Sequence, residues 1–218
     1  MKSRFHGIFF DLDGTLVDSR RDLAQSVNFA ISHLGLPTLP DEEIFGYIGN
    51  GMSTLIQLSL ESALGDEPSR LLDVALTLFK KHYKDHLLDN TTCYSDVFDT
   101  LKSLEEFNKV VITNKIKEFS VMILEGLNLN SYFDIIIGGD EVYEKKPSPE
   151  GILKALKMLK LSPENVIIVG DNYTDIESGQ NAGISTCFAS YGIGKLRNTQ
   201  PKYIINSLSE LIPIIYEI

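Results

Sequence analysis

Apolar residues follow two rhythms along this chain. A short unbroken run, Phe5 to Phe10, stops abruptly at Asp11-Leu12-Asp13-Gly14-Thr15, the pattern of a buried strand with a turn at its C-terminal end. From Ser19 to Leu34 the apolar positions move to helical spacing, at Leu23, Val27, Ile31 and Leu34, with Asp18 or Ser19 as N-cap and Gly35 as the stop. Pro37 and Pro40 end that unit. Asp41 is placed to cap a short helix through Tyr47, and Ser53 another through Leu64, with the loop Gly49-Asn50-Gly51 between them. Leu71, Leu72, Ala75, Leu78, Phe79 and His82 continue as an amphipathic helix, so residues 18–86 read as helix throughout.

Beyond this block the rhythm alternates. A helix carrying Val97, Leu101 and Leu104 leads to Val110-Val111-Ile112, and one carrying Val121 and Leu124 leads to Ile135-Ile136-Ile137. Leu153, Leu156 and Leu159 precede Val166-Ile167-Ile168-Val169, and a helix from Ile176 to Ala182 precedes Thr186–Ala189. Short apolar runs between helices specify a parallel sheet covered on both faces. A helical block of about seventy residues is too long for one crossover, so it reads as an insertion. The expected fold is α/β: a doubly wound parallel-sheet (Rossmann-like) core, residues 1–17 and 87–218, with an inserted α-helical cap domain, residues 18–86.

Composition narrows the function classes. The 218 residues are 43% apolar and 23% charged, as in ordinary globular proteins. Twenty basic against 30 acidic residues give a net charge of −10, which argues against nucleic acid as a partner. No apolar run approaches the roughly 18 residues that span a bilayer, and acidic residues interrupt the N-terminus before a leader-like stretch forms, so a cytoplasmic protein with no membrane partner is expected. Cys93 and Cys187 lie far apart without a partner motif and read as reduced thiols.

In open parallel sheets, ligands bind outside the carboxyl ends of the strands. Those ends carry Asp11 and Asp13, then Thr113 and Asn114, then Lys145 and Lys146 on a following loop, then Gly170, Asp171 and Asp175. Carboxylates gathered at one crevice repel one another unless a cation neutralises them, and hard oxygen donors suit Mg²⁺. A lysine, a hydroxyl, an amide and loop N–H groups beside that metal make an anion cradle suited to phosphoryl oxygens. No Ser/His/Asp set is evident, which leaves an aspartate as the available nucleophile, with a second aspartate two residues on to move protons.

These residues also carry a resemblance. Asp11-Leu12-Asp13-Gly14-Thr15-Leu16 with Val17-Asp18-Ser19, Val111-Ile112-Thr113-Asn114-Lys115, Lys146-Pro147-Ser148-Pro149 and Gly170-Asp171-Asn172-Tyr173-Thr174-Asp175 resemble, in order, the four motifs of phosphatases of the haloacid dehalogenase superfamily. The helical block sits at that family's cap position, and the LVDS run, the TNK segment and the Gly-Asn-Gly loop are most similar to phosphoglycolate phosphatase-like enzymes. The resemblance implies a Mg²⁺-dependent phosphatase that hydrolyses a small phosphorylated metabolite, such as 2-phosphoglycolate, through an aspartyl-phosphate. It implies Asp11 as nucleophile, Asp13 as general acid/base, and Asp11, Asp171 and the Asp13 main-chain carbonyl as metal ligands. Thr113 would hydrogen-bond the phosphoryl group with Asn114 beside it, Lys146 would neutralise its charge, and Asp175 would hold the metal shell or Lys146. Arg20, Asn50 and Gly51 are candidates for substrate contact from the cap, and the Tyr191-Gly192 loop is another.

A sugar-phosphate mutase of the same superfamily would keep this core. A receiver-type phosphoacceptor module is disfavoured, because its acceptor lies on a later strand and it has no insert. His82 and His86 stand four apart, as in a helical metal pair, but without a third ligand nearby they read as packing.

Overall fold

The computed structural model describes residues 3–65 and 70–217. The chain divides into two compact units, one of residues 1–18 and 93–218 and one of residues 19–92.

The first unit is built on a six-stranded sheet. Its strands are β1 (Gly7–Phe10), β4 (Asn108–Ile112), β5 (Ile135–Ile137), β6 (Val166–Gly170), β7 (Ser185–Ala189) and β8 (Tyr203–Ile205), in the order β5-β4-β1-β6-β7-β8, and every pairing is parallel. β1 and β6 are buried at every residue, which explains why they read as continuous apolar runs instead of alternating ones. On one face Phe9, Val110, Ile112 and Ile168 pack with Ile152, Ala155 and Leu156 of helix α7 (Glu150–Leu159). The remaining helices of this unit are α5 (Val97–Ser103), α6 (Lys117–Gly126), α8 (Tyr173–Asn181) and α9 (Leu211–Tyr216). The chain steps outward from β1 through β4 to β5 on one side and through β6, β7 and β8 on the other. The order therefore reverses around β1, and the crevice such a reversal opens lies at the carboxyl ends of β1, β4 and β6.

The second unit is helical: α1 (Arg20–His33), α2 (Asp41–Phe45), α3 (Met52–Leu64) and α4 (Leu72–His86). Its core includes Leu23, Val27, Ile31, Leu55, Ile56, Leu60, Ala75, Phe79 and Tyr83, the helical-period positions read from the sequence together with their neighbours. Two-residue strands β2 (Val17–Asp18) and β3 (Thr92–Cys93) pair where the chain passes between the units.

Several details differ from the sequence reading. The helical unit ends at Thr92 instead of residue 86, because fully buried Asp22 on α1 ties down the segment after α4. Its carboxylate accepts hydrogen bonds from the N–H and Nδ2 of Asn90 and from the N–H and Oγ1 of Thr91, at 2.6–3.0 Å. Pro40, not Asp41, holds the N-cap position of α2, leaving Asp41 in the first turn, where its charge still favours the helix dipole. Gly51, not Ser53, holds the N-cap position of α3, with φ at +85°, a conformation that favours glycine. Strand β8 and helix α9 have no counterpart in the sequence reading. The imidazole of His82 stacks between Phe29 and His86 with ring centroids 4.1 and 4.3 Å away, and its Nδ1 lies 3.0 Å from Ser26 Oγ.

Candidate active site

Three central strands deliver the chemistry. Asp11 directly follows β1, Thr113 follows β4 and Asp171 follows β6, so fixed pairing registers bring together residues far apart in sequence. Asp11, Asp171 and Asp175 offer carboxylate oxygens that all lie within 4.8 Å of one another, and all three residues are buried. Among the described residues, this is the one cluster of three or more His, Cys, Asp or Glu side chains placed to share a metal ion.

Lys146 enters this cluster from the loop before α7. Its ammonium donates to Asp11 Oδ1 and Asp175 Oδ1, both at 2.6 Å, and to the Ile112 carbonyl at 2.7 Å, so each of its three N–H bonds has an acceptor. Burial works against its charge, but the two carboxylates outweigh burial and leave its pKa raised. Asn114 holds Lys146 in place through the main chain: its Oδ1 accepts from the Lys146 N–H at 3.0 Å and its Nδ2 donates to the Lys146 carbonyl at 3.1 Å. Asp175 does double duty, since its Oδ2 accepts from the Asn172 N–H in the capping box that starts α8.

Asp171 is fixed from a loop distant in sequence. Its Oδ2 accepts from the main-chain N–H groups of Ile193 at 2.8 Å and Gly194 at 2.7 Å. The approach is too close for side chains on either flank: a Cβ on Gly192 would lie 2.2 Å from Asp171 Cβ, and one on Gly14, whose φ is +90°, 2.1 Å from Asp171 Oδ2. Tyr191, on the same loop, donates its hydroxyl to the Thr15 carbonyl at 2.9 Å. The loop set down from sequence as a candidate for recognition therefore builds the site itself. The signal for it was the pair of glycines flanking Ile193.

Asp13 points to a second cation that sequence reading did not assign. Its Oδ2 lies 3.1 Å from the ammonium of Lys115, and both side chains are largely buried. Thr113 Oγ1 accepts from the Lys115 N–H at 3.2 Å, which leaves the hydroxyl hydrogen of Thr113 available to donate elsewhere. Seven of the ten residues singled out from sequence, Asp11, Asp13, Thr113, Asn114, Lys146, Asp171 and Asp175, thus belong to one assembly in the sheet unit. Arg20, Asn50 and Gly51 belong to the helical unit, where the Arg20 guanidinium lies over the Phe45 ring at 5.4 Å and Gly51 starts α3.

The charge balance of the assembly fits a divalent cation. Its four carboxylates face two ammonium groups, so full ionisation leaves two negative charges uncompensated. Burial, followed by the opposing influences of Lys146 and Asp175, moves Asp11 up to about 7. Burial, reinforced by Asp11 and Asp175, moves Asp171 up to about 8. Hard carboxylate oxygens held this close make a suitable donor set for Mg²⁺.

A pH dependence of stability follows. Asp11 and Asp171 have folded values above their ordinary value of 3.8, so the folded chain holds protons that the unfolded chain has released. The stability they contribute is complete below pH 4 and is lost as pH rises through about 7 to 8. In the presence of a chelator, thermal unfolding is expected at lower temperature at pH 8.5 than at pH 6, and Asp171→Asn should flatten that slope. Added Mg²⁺ should raise the transition more at pH 8.5 than at pH 6. A metal effect of equal size at both values would contradict the assignment.

Comparison with known proteins is decisive on the family: the model described as haloacid dehalogenase-like hydrolase matches residues 8–189. The chain belongs to the haloacid dehalogenase-like hydrolases. It is 38% identical to a phosphoglycolate phosphatase of Aquifex aeolicus (strain VF5), over 95% of each chain. It is 36% identical to a phosphoglycolate phosphatase of Chromobacterium violaceum, over 94% of this chain and 93% of that protein. Its fold matches the crystal structure of a predicted phosphoglycolate phosphatase from Haemophilus somnus 129PT with a TM-score of 0.92 at 28% identity, covering 98% of this chain and 99% of that one. This hydrolase is a phosphatase, a phosphoric monoester hydrolase. No helix among the described residues is long and apolar enough to cross a membrane.

Proposed function

We propose that this phosphatase is Mg²⁺-dependent and hydrolyses a small phosphorylated metabolite, 2-phosphoglycolate first among them, through an aspartyl-phosphate on Asp11. The observation that carries the reading is the placement of Asp11: a buried carboxylate directly after β1 whose Oδ1 accepts from Lys146 at 2.6 Å and which lies in one cluster with Asp171 and Asp175 placed to share a metal ion. The names of the whole-length relatives support the choice of substrate.

Each residue then has a task. Asp11 attacks phosphorus, and the bond from phosphorus to the ester oxygen breaks. Asp13 gives its proton to that departing oxygen and then takes one from the water that attacks the aspartyl-phosphate, which releases inorganic phosphate and restores Asp11. The Thr113 hydroxyl, its oxygen already engaged by the Lys115 N–H, donates its hydrogen to a phosphoryl oxygen. Lys146 opposes the negative charge that spreads over the transferring group, and Asp175 with Asn114 fixes where that ammonium sits. Asp11 and Asp171, with the main-chain carbonyl of Asp13, would hold the Mg²⁺, whose charge brings the anionic nucleophile and the phosphoryl oxygens together. Arg20, Asn50 and Gly51 of the helical unit are proposed as its contributions to substrate contact.

The test is a panel of phosphorylated metabolites assayed with Mg²⁺ and with a chelator. Phosphate release is expected only with metal, and most efficiently from 2-phosphoglycolate. Equal release in chelator refutes the metal dependence, and a different best substrate refutes only the choice of metabolite.

A further inference from the structure

We propose that Lys115 is the residue that reads the substrate beyond its phosphoryl group, pairing with a carboxylate carried on the carbon attached to the ester oxygen. The proposal rests on the reading above, in which Asp13 serves the leaving group. A general acid must come within hydrogen-bond reach of the oxygen it protonates. The Lys115 ammonium lies 3.1 Å from the Asp13 carboxylate, so it stands on the leaving-group side of the site, where substituents next to the ester oxygen must fall.

Charge makes such a cation necessary. A substrate carboxylate buried there gives up its water, and it gains a like charge beside it as Asp13 passes its proton to the ester oxygen, both of which cost free energy unless a cation is shared between them. Lys146 cannot supply it, because its three N–H bonds are committed to Asp11, Asp175 and the Ile112 carbonyl. Lys115 is the ammonium already against Asp13, and its main chain is anchored at both ends. Its N–H donates to Thr113 Oγ1 at 3.2 Å and its carbonyl accepts from the Gly139 N–H at 2.8 Å. A charge placed in advance by a braced loop gives up little freedom on binding, which favours selectivity.

The test compares 2-phosphoglycolate with ethyl phosphate, which has the same two-carbon leaving group without the carboxylate, in the wild type, Lys115→Met and Lys115→Arg. The wild type is expected to prefer 2-phosphoglycolate in kcat/KM by about 10- to 100-fold, the value of one charge-assisted hydrogen bond. Lys115→Met should erase that preference while ethyl phosphate turnover falls much less, and Lys115→Arg should retain part of it. An equal loss on both esters would make Lys115 only a support for Asp13 and overturn the proposal. Should Lys115→Met fail to fold by circular dichroism, the wild-type ratio decides, and a ratio near one overturns it. A wild type that releases phosphate from neither ester refutes the underlying reading instead.

Discussion

Asp11→Asn is expected to lower phosphate release by on the order of 10⁴-fold or more, since it removes the oxyanion proposed to attack phosphorus and leaves only binding and electrostatic contributions. The substitution is nearly isosteric and keeps an amide oxygen to accept from Lys146. It also removes a carboxylate whose ionisation burial opposes, so the chelator-treated variant should unfold at a temperature no lower than the wild type at pH 8. Activity and stability therefore separate: a folded, inactive variant is the signature of a nucleophile. Intact-protein mass spectrometry after acid quenching should show a phosphorylated species in the wild type and none in Asp11→Asn. Wild-type turnover in the variant would end the aspartyl-phosphate mechanism.

Much of this site could be read from the chain, because the information is local. Phe5 to Phe10 and Val166 to Val169 are apolar at every position since both faces of the sheet are covered, and the first polar residue after each run must sit at the strand's carboxyl end. Asp11 and Asp171 were legible on that ground, and Thr113 likewise after β4.

What escaped the sequence depends on residues meeting across long separations. Lys115 and Lys145 both flank motif residues, and nothing in the string says that the ammonium of Lys115 turns to Asp13. The Ile193 and Gly194 N–H groups reach Asp171 from more than twenty residues away, which no periodicity records. The same holds for Asp22, whose bonds to Asn90 and Thr91 move the end of the helical unit past the last helix. β8 is a short edge strand with Ile204 exposed, so its pattern is too brief to distinguish from loop. Helical and strand periods report burial of an element's own face, whereas side-chain to main-chain bonds between loops leave no period at all.

Lys146→Met should be the most damaging single change to the assembly, because it removes the cation shared by Asp11 and Asp175 and leaves both carboxylates buried. Breaking a buried ion pair from one side costs about 3–5 kcal/mol, so in chelator at pH 8 the unfolding temperature should fall by roughly 10 °C. The sign of its pH dependence is fixed by the shifts. Lys146 has a folded value above its ordinary 10.5, so its contribution is complete throughout the neutral range in the wild type. In the variant Asp11 loses the ammonium that opposes burial, so it takes up a proton at higher pH than in the wild type, and the deficit should shrink as pH falls toward 5. Lys146→Arg should not restore the wild type, since a planar guanidinium cannot place donors on Asp11, Asp175 and the Ile112 carbonyl from the position of one nitrogen. With Mg²⁺ present, kcat should still fall about 10²–10³-fold in both variants, because the charge removed or displaced is the one proposed to oppose that of the transferring phosphoryl group. Unfolding by calorimetry and phosphate release measured on the same samples check both halves, and a Lys146→Arg enzyme of wild-type activity would show that charge alone, without the three-acceptor geometry, is what the site requires.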